Sequence, residues 1–444
     1  MLNISMITLG CDKNTVDSEE MMGLLRQKGY NLVNDINEAD CLIINTCSFI
    51  NDAKEESINT IIESSKLKEG RLKYLIAAGC LAERYKDEMA KELPEIDAFV
   101  GTTGFEDIVQ VVERLESGEK QVALFKDINK TTEVDAPRII TERPYVEYLK
   151  IAEGCDKRCT YCAIPTFRGN FRSAPMERLI KTAENLRDNG VKELILVAQE
   201  TTMYGVDLYG KKSLHILLRK LSEIDGIEWI RLLYCYPEEV YPELIEEMAS
   251  NKKVLHYIDM PLQHTEDEML RRMGRRVRNK DIYDIVAKLR ERIPDIAIRT
   301  TFITGFPGET EEEHINLLRT INEIEFDHVG VFPYSVEEGT AAASFPDQIN
   351  EETKARYRDE IMELQQEISL DKNESLVGKT LDCIIEGYIS DDDVYSARTY
   401  RDAPEVDGFV FVKSDNSLMS GSIVPVKITG ATEYDLIGEL IEEE

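Results

Sequence analysis

The chain has 444 residues, of which 42% are hydrophobic and 31% are charged. This length is too great for a single hydrophobic core and indicates about two to four domains. Its 85 acidic and 53 basic residues give a formal net charge of −32, which argues against a broad nucleic-acid surface because phosphate binding depends on Lys and Arg. This charge fits either a basic partner or simple solubility. The apolar runs are far shorter than the roughly 20 residues of a membrane span, and MLNISMITLG lacks the features of a signal peptide, so we expect a cytoplasmic protein without membrane contact.

Short apolar runs alternate with amphipathic stretches over residues 1–120. The runs ISMITLG, CLIINT, YLIAAG and DAFVG are predicted strands, and a predicted helix follows each of them. Because such alternation is typical of a parallel sheet covered by helices, we predict an α/β domain with a doubly wound parallel sheet. Residues 121–144 lack clear periodicity and are interpreted as a linker.

Strand–helix alternation resumes over residues 145–373. Six predicted strands recur about every 32 residues, a normal spacing for βα units. They read YVEYLKI, ELILVAQ, WIRLLYC, HYIDMPLQ, AIRTTFITG and HVGVFPYS. A complete eightfold barrel usually needs ~250 residues, so we predict an incomplete (β/α)6 barrel, which a long amphipathic helix follows.

Residues 374–444 have a different texture, with five short predicted strands separated by Asp, Gly, Pro and Ser turns. This pattern predicts a small five-stranded antiparallel β-barrel of the oligonucleotide-binding type. The segment carries five basic and sixteen acidic residues, which is the wrong balance for holding RNA.

Three cysteines, Cys155, Cys159 and Cys162, stand in EGCDKRCTYCAIP at the carboxyl end of the first predicted barrel strand. Barrels of this kind place their active sites at that end, and thiolates are the usual ligands of iron–sulfur clusters. In a 4Fe-4S cluster three cysteines leave one iron open, which can chelate the amino and carboxylate groups of a small molecule. The alternative is a zinc site completed by Cys235, although structural zinc sites usually use paired Cys or His sets.

A second set of cysteines lies in the N-terminal domain. Cys11, Cys47 and Cys80 each end a predicted parallel strand, and ligands gather outside the carboxyl ends of strands in open α/β sheets. We therefore expect them to converge on a second cluster, although free cysteines are often simply core residues. Cys41, at the start of its strand, fits the core alternative.

The motif C-x3-C-x-aromatic-C, with Tyr161 as its aromatic residue, resembles that of the radical S-adenosylmethionine superfamily. The resemblance implies that the open iron binds S-adenosylmethionine. One-electron reduction then gives methionine and a 5′-deoxyadenosyl radical, which abstracts hydrogen from an unactivated C–H bond.

Two three-cysteine sets followed by a small barrel resemble the methylthiotransferases along the whole chain, in the order methylthiotransferase domain, radical core and TRAM barrel. The resemblance implies two 4Fe-4S clusters, one at Cys155, Cys159 and Cys162 for the radical and one at Cys11, Cys47 and Cys80 that presents sulfur. S-adenosylmethionine would serve as methyl donor and radical source. A low-potential electron donor and a sulfur donor are further expected partners, and the protein is expected to be a monomer.

Short sequence motifs around the cysteines indicate which branch of this family the chain resembles. GCDKNTVDSE, NTCSFINDAKEES and EGCDKRCTYCAIPTFRGNFRS are similar to the branch that modifies the β-carbon of an aspartate in protein twelve of the small ribosomal subunit. The acidic terminal barrel agrees, since that target protein is basic. The alternatives are a tRNA 2-methylthioadenosine synthase with similar chemistry and a two-cluster electron carrier, which would have four-cysteine sets and a shorter chain.

Polar residues at the predicted strand ends are further candidates for contact with S-adenosylmethionine or substrate, the alternative being hydrogen bonds that satisfy the barrel top. These polar candidates are Gln199, Glu200, Gln263, His264, Arg299 and Thr301. Tyr161 is a cofactor-binding candidate as part of the cysteine motif, and Ile303 and Gly305 are candidates because FITGFPGE resembles the adenine-contacting strand of the superfamily. Gly305 and Gly308 do not form a phosphate loop because no G-K-[ST] follows. Arg168 and Arg172 could pair with an acidic group of the substrate or cofactor, or be solvated.

Overall fold

The computed structural model describes residues 2–131, 136–141 and 143–441. It contains a six-stranded N-terminal sheet, a six-stranded central sheet and a closed five-stranded barrel. No helix of the described residues is long and apolar enough to span a membrane.

All strands of the N-terminal sheet are parallel, in the order β2-β1-β3-β4-β5-β6. The strands are β1 Asn3–Thr8, β2 Asn31–Leu32, β3 Cys41–Thr46, β4 Tyr74–Gly79, β5 Ala98–Val100 and β6 Val122–Leu124. The helices are α1 Asp12–Lys28, α2 Asn51–Ser65, α3 Cys80–Arg84, α4 Lys86–Glu92 and α5 Ile108–Glu116. Neighbouring residues of β3 enter different cores, Ile43 on one face and Ile44 on the other. Burial on both faces confirms the doubly wound sheet.

Two short strands of this sheet were not predicted from the periodicity of the sequence. β2 has only two residues, and β6 begins inside the predicted linker, where it pairs with β5 and buries Val122. Segments of two or three residues are too short to show alternation, so only pairing with a neighbour identifies them. The sheet therefore extends past residue 120.

The central sheet is also wholly parallel, and its strand order follows the chain: β14-β13-β12-β11-β10-β7. These strands are β7 Val146–Lys150, β10 Glu193–Val197, β11 Trp229–Leu232, β12 Val254–Asp259, β13 Ala297–Thr304 and β14 His328–Pro333. Its helices are α6 Ile164–Arg168, α7 Met176–Asp188, α8 Val206–Tyr209, α9 Leu214–Ser222, α10 Pro242–Ser250, α11 Asp267–Arg272, α12 Asn279–Arg292, α13 Glu311–Ile324 and α14 Glu351–Glu374. A small ribbon pairs β8 Ala152–Glu153 with β9 Arg172–Ser173.

All six predicted strands of the incomplete (β/α)6 barrel are present, and the sheet is open between its edge strands β7 and β14 in the part of the chain that the structure describes. The N-terminal domain contacts both edges. Lys150, the last residue of β7, pairs with Asp17, while Glu337, just after β14, pairs with Lys54 at 2.9 Å and with Arg84 at 3.0 Å. The N-terminal domain thus lies at the open side of the barrel, near the carboxyl ends of its strands.

The C-terminal barrel closes in the order β15-β16-β17-β19-β18. Its strands are β15 Thr380–Ile389, β16 Val394–Thr399, β17 Val410–Lys413, β18 Ile423–Ala431 and β19 Leu436–Leu440. The prediction of an antiparallel barrel needs one correction, because β17 and β19 pair in parallel. Strand directions cannot alternate all the way round a closed ring of five strands, so at least one pair must be parallel.

The C-terminal barrel covers the amino-terminal ends of the central strands. Tyr145, Trp229 and Ala297, at or beside strand starts, share a buried cluster with Ile384 and Ala403 of the barrel. This position is opposite to the carboxyl ends, where the cysteines lie, so the barrel seals one end of the core and leaves the other for chemistry.

Candidate functional site

The three cysteines of the N-terminal domain follow adjacent strands. Cys11 precedes α1, Cys47 follows β3 and Cys80 is the first residue of α3. Gly10, with φ +91°, comes so close to Cys47 that an added Cβ would lie 2.7 Å from its sulfur. Gly79, with φ +90°, would likewise place a Cβ 2.2 Å from Asn45 Oδ1. Both glycines are required by tight, left-handed turns that bring the three loops together.

Asn14 ties these loops to one another. Its Nδ2 donates to the carbonyls of Leu9, 2.8 Å, and Thr46, 3.1 Å, so the loops after β1 and β3 share one side chain. Its Oδ1 lies 3.8 Å from the sulfur of Cys80, in the loop after β4. The arrangement gathers all three predicted ligands at one edge of the sheet.

The cysteines of the central domain lie in one loop after β7 and β8. The Lys157 backbone N–H donates to Cys155 Sγ at 3.5 Å, and the Tyr236 hydroxyl lies 3.8 Å from Cys159 Sγ. A bond of 3.1 Å from the Cys162 N–H to the Cys159 carbonyl closes a turn between the last two cysteines. The loop is further anchored to Met273, whose carbonyl accepts from the Thr160 N–H at 2.9 Å.

Burial governs the acidity of these thiols. It raises the pKa of Cys155 to about 11 and of Cys80 to about 12, and raises those of Cys47 and Cys162 as well. Ligation to iron would replace the thiol proton, as it does for cysteine ligands generally. Within the described residues no group of three His, Cys, Asp or Glu side chains is arranged to hold one metal ion. That result is expected for a cluster, because its thiolates bind different irons and stand farther apart than the ligands of one ion.

The other candidate cysteines are core residues in the structure. Cys41 is fully buried in the N-terminal core, and Cys235 is fully buried in the core of the central domain. Cys235 donates its backbone N–H to the Asp259 carbonyl at 2.8 Å. This location gives no support to a zinc site that Cys235 would complete.

Several predicted cofactor residues do lie near the cysteine loop. Tyr161 and Ile303 pack against one buried cluster that includes Met269 and Phe306. Gln199 donates to Glu153 at 2.6 Å, and its Oε1 is buried without a hydrogen-bond partner among the described residues. These side chains line the region between the cysteine loop and the strand ends.

Gln263 and Gly305 contribute through their backbones. Gln263 has φ +74°, and its N–H and carbonyl bond to Thr301 and Ile303, both at 2.8 Å. The Gly305 N–H donates to Glu309 at 2.5 Å, and an added Cβ would lie 2.2 Å from Lys354 Cγ. Gly305 therefore packs closely against α14.

Arg299 and His264 are placed differently from the prediction. Arg299 is the third residue of β13 and pairs with Asp259, 3.2 Å, and with Asp407 of the C-terminal barrel, 3.3 Å. The pair with Asp407 ties Arg299 to the C-terminal barrel, and these two ion pairs leave it occupied by carboxylates of the protein itself. His264 is fully buried, with its Nε2 3.3 Å from Glu309, which matches the alternative of a structural hydrogen bond.

Arg275 is a residue that sequence reasoning missed. Its guanidinium is buried 4.1 Å above the Tyr236 ring, and Nη2 donates to the Pro261 carbonyl at 2.9 Å. The Nε and Nη1 donors have no partner in the described part of the chain. Arg275 stands in GRRVRNK, a run of charges that usually indicates a solvated face, so the sequence offered no signal for it.

Glu200 presents a second unsatisfied group in the same region. One carboxylate oxygen bonds to Thr202, while Oε2 is buried without a hydrogen-bond partner and lies 3.8 Å from Lys157 Nζ. Burial raises the pKa of Glu200 to about 7. Unsatisfied donors and acceptors that face one loop indicate a place for a polar ligand. Arg275 could hold a carboxylate, and Glu200 an ammonium group, so these residues fit S-adenosylmethionine.

Arg168 reaches from the central domain to a cysteine of the N-terminal set. It ends α6, is only 2% exposed, and donates from Nε to Cys80 Sγ at 3.2 Å. Its Nη1 pairs with Asp17 at 2.9 Å and with Glu153 at 3.0 Å. Of the two alternatives for this residue, a solvated side chain is therefore wrong. Arg172 is half-buried and donates to the backbone carbonyls of Asn170 and Arg168.

The comparisons with known proteins agree with this architecture. Residues 3–101 match the uncharacterized protein family UPF0004, residues 149–321 the radical SAM superfamily and residues 377–441 the TRAM domain. A solved radical S-adenosylmethionine methyltransferase, TsrM from Kitasatospora setae, is similar in fold, with a TM-score of 0.57 at 13% identity over 86% of this chain and 78% of that one.

Curated relatives are similar over almost the whole chain. The ribosomal protein uS12 methylthiotransferase RimO of Lachnoclostridium phytofermentans is 53% identical over 98% of this chain and 99% of the relative. The protein of the same name from Thermoanaerobacter sp. is 53% identical over 99% of this chain and 100% of the relative. At this identity and coverage, with cysteine sets at the edges of two parallel sheets, the chain belongs to the RimO family of radical S-adenosylmethionine enzymes.

Proposed function

We propose that the protein transfers a methylthio group to the β-carbon of an aspartate in ribosomal protein uS12, using S-adenosylmethionine and two 4Fe-4S clusters. The observation that carries the proposal is the contact of Cys80 with the segment that directly follows Cys162: Cys80 accepts a hydrogen bond from Arg168 and packs against Ala163 and Phe167. When bound, the clusters and S-adenosylmethionine would supply a hydrogen-abstracting radical and a transferable sulfur.

The protein's own residues would hold and enclose these groups. Cys155, Cys159 and Cys162 would ligate the cluster that binds S-adenosylmethionine. The free donors of Arg275 and the free oxygen of Glu200 would orient the amino-acid part of that molecule, since both otherwise remain unsatisfied in a buried place. The apolar packing around Tyr161 and Ile303 would exclude water from the same region.

Cys11, Cys47 and Cys80 would ligate the second cluster. Their loops are held by Asn14, and the first residues of α1, directly after Cys11, contact Tyr234, which follows β11 of the central barrel. There the Tyr234 hydroxyl donates to Asp12 at 3.1 Å, and Lys13 Nζ lies 3.3 Å from the centre of the Tyr234 ring. Such contacts would keep the second set of ligands in a constant position relative to the first.

The charge of the C-terminal barrel supports a basic protein substrate over tRNA. Of its five basic residues, Arg398 and Arg401 are buried in ion pairs, so within the described part of the barrel the exposed cations are Lys379, Lys413 and Lys427. Sixteen acidic residues share the segment. An RNA-gripping barrel would need the reverse balance, and the names of the relatives point to the same protein target.

An iron and sulfide count on anaerobically reconstituted protein tests the number of clusters. We expect about eight irons per chain, falling to about four when Cys11, Cys47 and Cys80 are replaced by Ala. About four irons in the unmodified protein, unchanged by that substitution, would contradict the second cluster.

A paired assay tests the substrate. Incubation of the reduced protein with S-adenosylmethionine and either uS12 or tRNA should methylthiolate only the protein. Methylthiolated tRNA with unmodified uS12 would establish the tRNA alternative. An electron carrier would form no 5′-deoxyadenosine under the same conditions.

A further inference from the structure

Arg168 lies in the short segment that follows Cys162 and contacts the N-terminal domain. It follows Cys162 by six positions, at the end of a five-residue helix, and its side chain points away from its own loop into the N-terminal domain. Cys80 of that domain packs against Ala163 and Phe167 of the same segment. A ligand of one cluster therefore contacts the helix that immediately follows a ligand of the other.

The hydrogen bonds of the guanidinium are divided between both domains. Nε donates to Cys80 Sγ at 3.2 Å and Nη2 to Asn14 Oδ1 at 2.5 Å, and Asn14 is the residue that ties the other cysteine loops together. Nη1 donates to Asp17 of α1 and to Glu153 of β8. A rigid planar fork with several fixed acceptors has little freedom to turn, in contrast to a lysine ammonium.

The charges around Arg168 are balanced. Asp17 and Glu153 face two cations, Arg168 and Lys150, and Lys150 pairs with both carboxylates. Because the carboxylates offset much of the cationic charge, the direct effect of Arg168 on a nearby cluster would act mainly through the directed Nε–H to sulfur bond. Hydrogen bonds to cluster sulfurs raise the reduction potential, since they stabilise the more negative reduced state.

We propose that Arg168 is a positioning residue for the N-terminal cluster, which it makes easier to reduce through the directed Nε–H bond to Cys80. This inference rests on the proposed two-cluster function. It adds a role for a residue of the central domain in the chemistry of the cluster on the other domain.

The potential of the N-terminal cluster can be measured in the full chain with Cys155, Cys159 and Cys162 replaced by Ala, which leaves one cluster to titrate. We expect Arg168→Gln to retain about four irons and to be reduced at a more negative potential than this parent. Arg168→Lys should lie between them, because it keeps the charge and loses the directed Nε–H. Arg219→Gln, at an exposed arginine of α9, is the matched control and should behave as the parent.

A second measurement detects the bond directly. In the same parent protein labelled with 15N-arginine, the reduced cluster should show a hyperfine coupling to guanidinium nitrogen. The coupling should vanish in Arg168→Lys and persist in Arg219→Gln. If the labelled parent showed no 15N hyperfine coupling, the inference would be overturned even if Arg168→Gln failed to fold.

The outcomes separate the two proposals. A parent that binds no iron would remove the N-terminal cluster itself and with it this inference. A parent that binds iron, with the same potential in Arg168→Gln and a nitrogen coupling that survives Arg168→Lys, would overturn the inference and leave the two-cluster function standing.

Discussion

Near the cysteine loop, the residues that say most about ligand binding are those with buried polar atoms that lack a hydrogen-bond partner in the described structure. Arg275 and Glu200 each leave a donor or acceptor unsatisfied in the described structure, although both are almost fully buried. Such a group costs about 1–3 kcal/mol, which folding alone would not favour. A ligand that satisfies them recovers this energy on binding, and it would do so next to Cys155 and Cys159.

The first prediction concerns Arg275. If it holds the carboxylate of S-adenosylmethionine, Arg275→Gln should weaken cofactor binding about tenfold to a hundredfold, because a hydrogen bond to a charged group contributes about 1.5–3 kcal/mol. Equilibrium binding of S-adenosylmethionine to reconstituted protein measures the effect. The exposed neighbour is a matched control, so Arg276→Gln should bind as the unmodified protein does. Equal affinities for the two variants would exclude the role.

The second prediction concerns pH and Glu200. Burial raises its pKa from 4.5 to about 7, so the folded apoprotein holds a proton that the unfolded chain releases. Stability from this site is therefore complete below pH 4.5 and is lost as pH rises through about 7. Glu200→Gln cannot lose a proton, so between pH 4 and pH 8 it should gain on the order of 3 kcal/mol in unfolding free energy relative to the unmodified protein.

Denaturant unfolding of the apoprotein at both ends of that range measures this difference. The exposed Glu228→Gln serves as the control and should show no relative gain. A pH-independent difference between Glu200→Gln and the unmodified protein would contradict the prediction.

At the scale of elements, loops that follow strands build the site, and ion pairs attach the C-terminal barrel. Arg398 on β16 pairs with Glu193 at the start of β10, 2.8 Å, and with Glu386 on β15, 2.6 Å; the first two are fully buried, and the side chain of Glu386 is 7% exposed. Arg231 on β11 completes the set with a 2.7 Å contact to Glu193. The barrel is thus held to the core by buried charges as well as by apolar packing.

The third prediction follows from that buried set. Arg398→Met should reduce the unfolding free energy by about 3–5 kcal/mol, because it leaves Glu386 with only the partly exposed Arg143 and Glu193 with only Arg231. Lys413 is an exposed lysine of the same barrel, and Lys413→Met should change stability by less than about 0.5 kcal/mol. Thermal or denaturant unfolding of the apoprotein makes the comparison, and similar small losses in both variants would show that the ion pairs contribute little.

At the scale of the whole molecule, the arrangement of the domains and the net charge both bear on how a substrate approaches. The N-terminal domain lies at the open side of the central barrel, the C-terminal barrel seals the opposite end, and the chain carries a net charge of −32. A strongly acidic surface attracts a basic protein over distances of about a Debye length, and salt weakens this attraction.

The fourth prediction tests this attraction. Replacing Asp391, Asp392 and Asp393 of the β15–β16 turn by Asn should lower kcat/KM for uS12 several-fold at low salt and little at high salt, since each exposed pair contributes about 0.2–1 kcal/mol. The value of kcat should not change. Neutralising Glu177, Asp284 and Glu291 on the outer helices α7 and α12 changes the net charge equally and should have the smaller effect. Equal effects of both triple variants would mean that net charge alone steers the substrate.

Much of the architecture follows from local patterns. The strands of the N-terminal sheet and of the central barrel could be predicted because parallel strands buried on both faces, such as CLIINT and ELILV, need continuous apolar runs. Such runs are visible in the sequence. The short strands β2 and β6 and the parallel pair β17–β19 were not visible, since only neighbours across the sheet define them.

The sequence by itself determined the two cysteine sets, because strand ends and ligand spacing are properties of a short stretch of chain. Only the tertiary structure decided what surrounds them. Arg168 is buried against Cys80 of the other domain, Arg275 is held above Tyr236, and Arg299 pairs with Asp407 of the C-terminal barrel. The local sequence around an arginine in a charged run does not show whether its side chain is solvated or buried, because residues tens to hundreds of positions away form its environment.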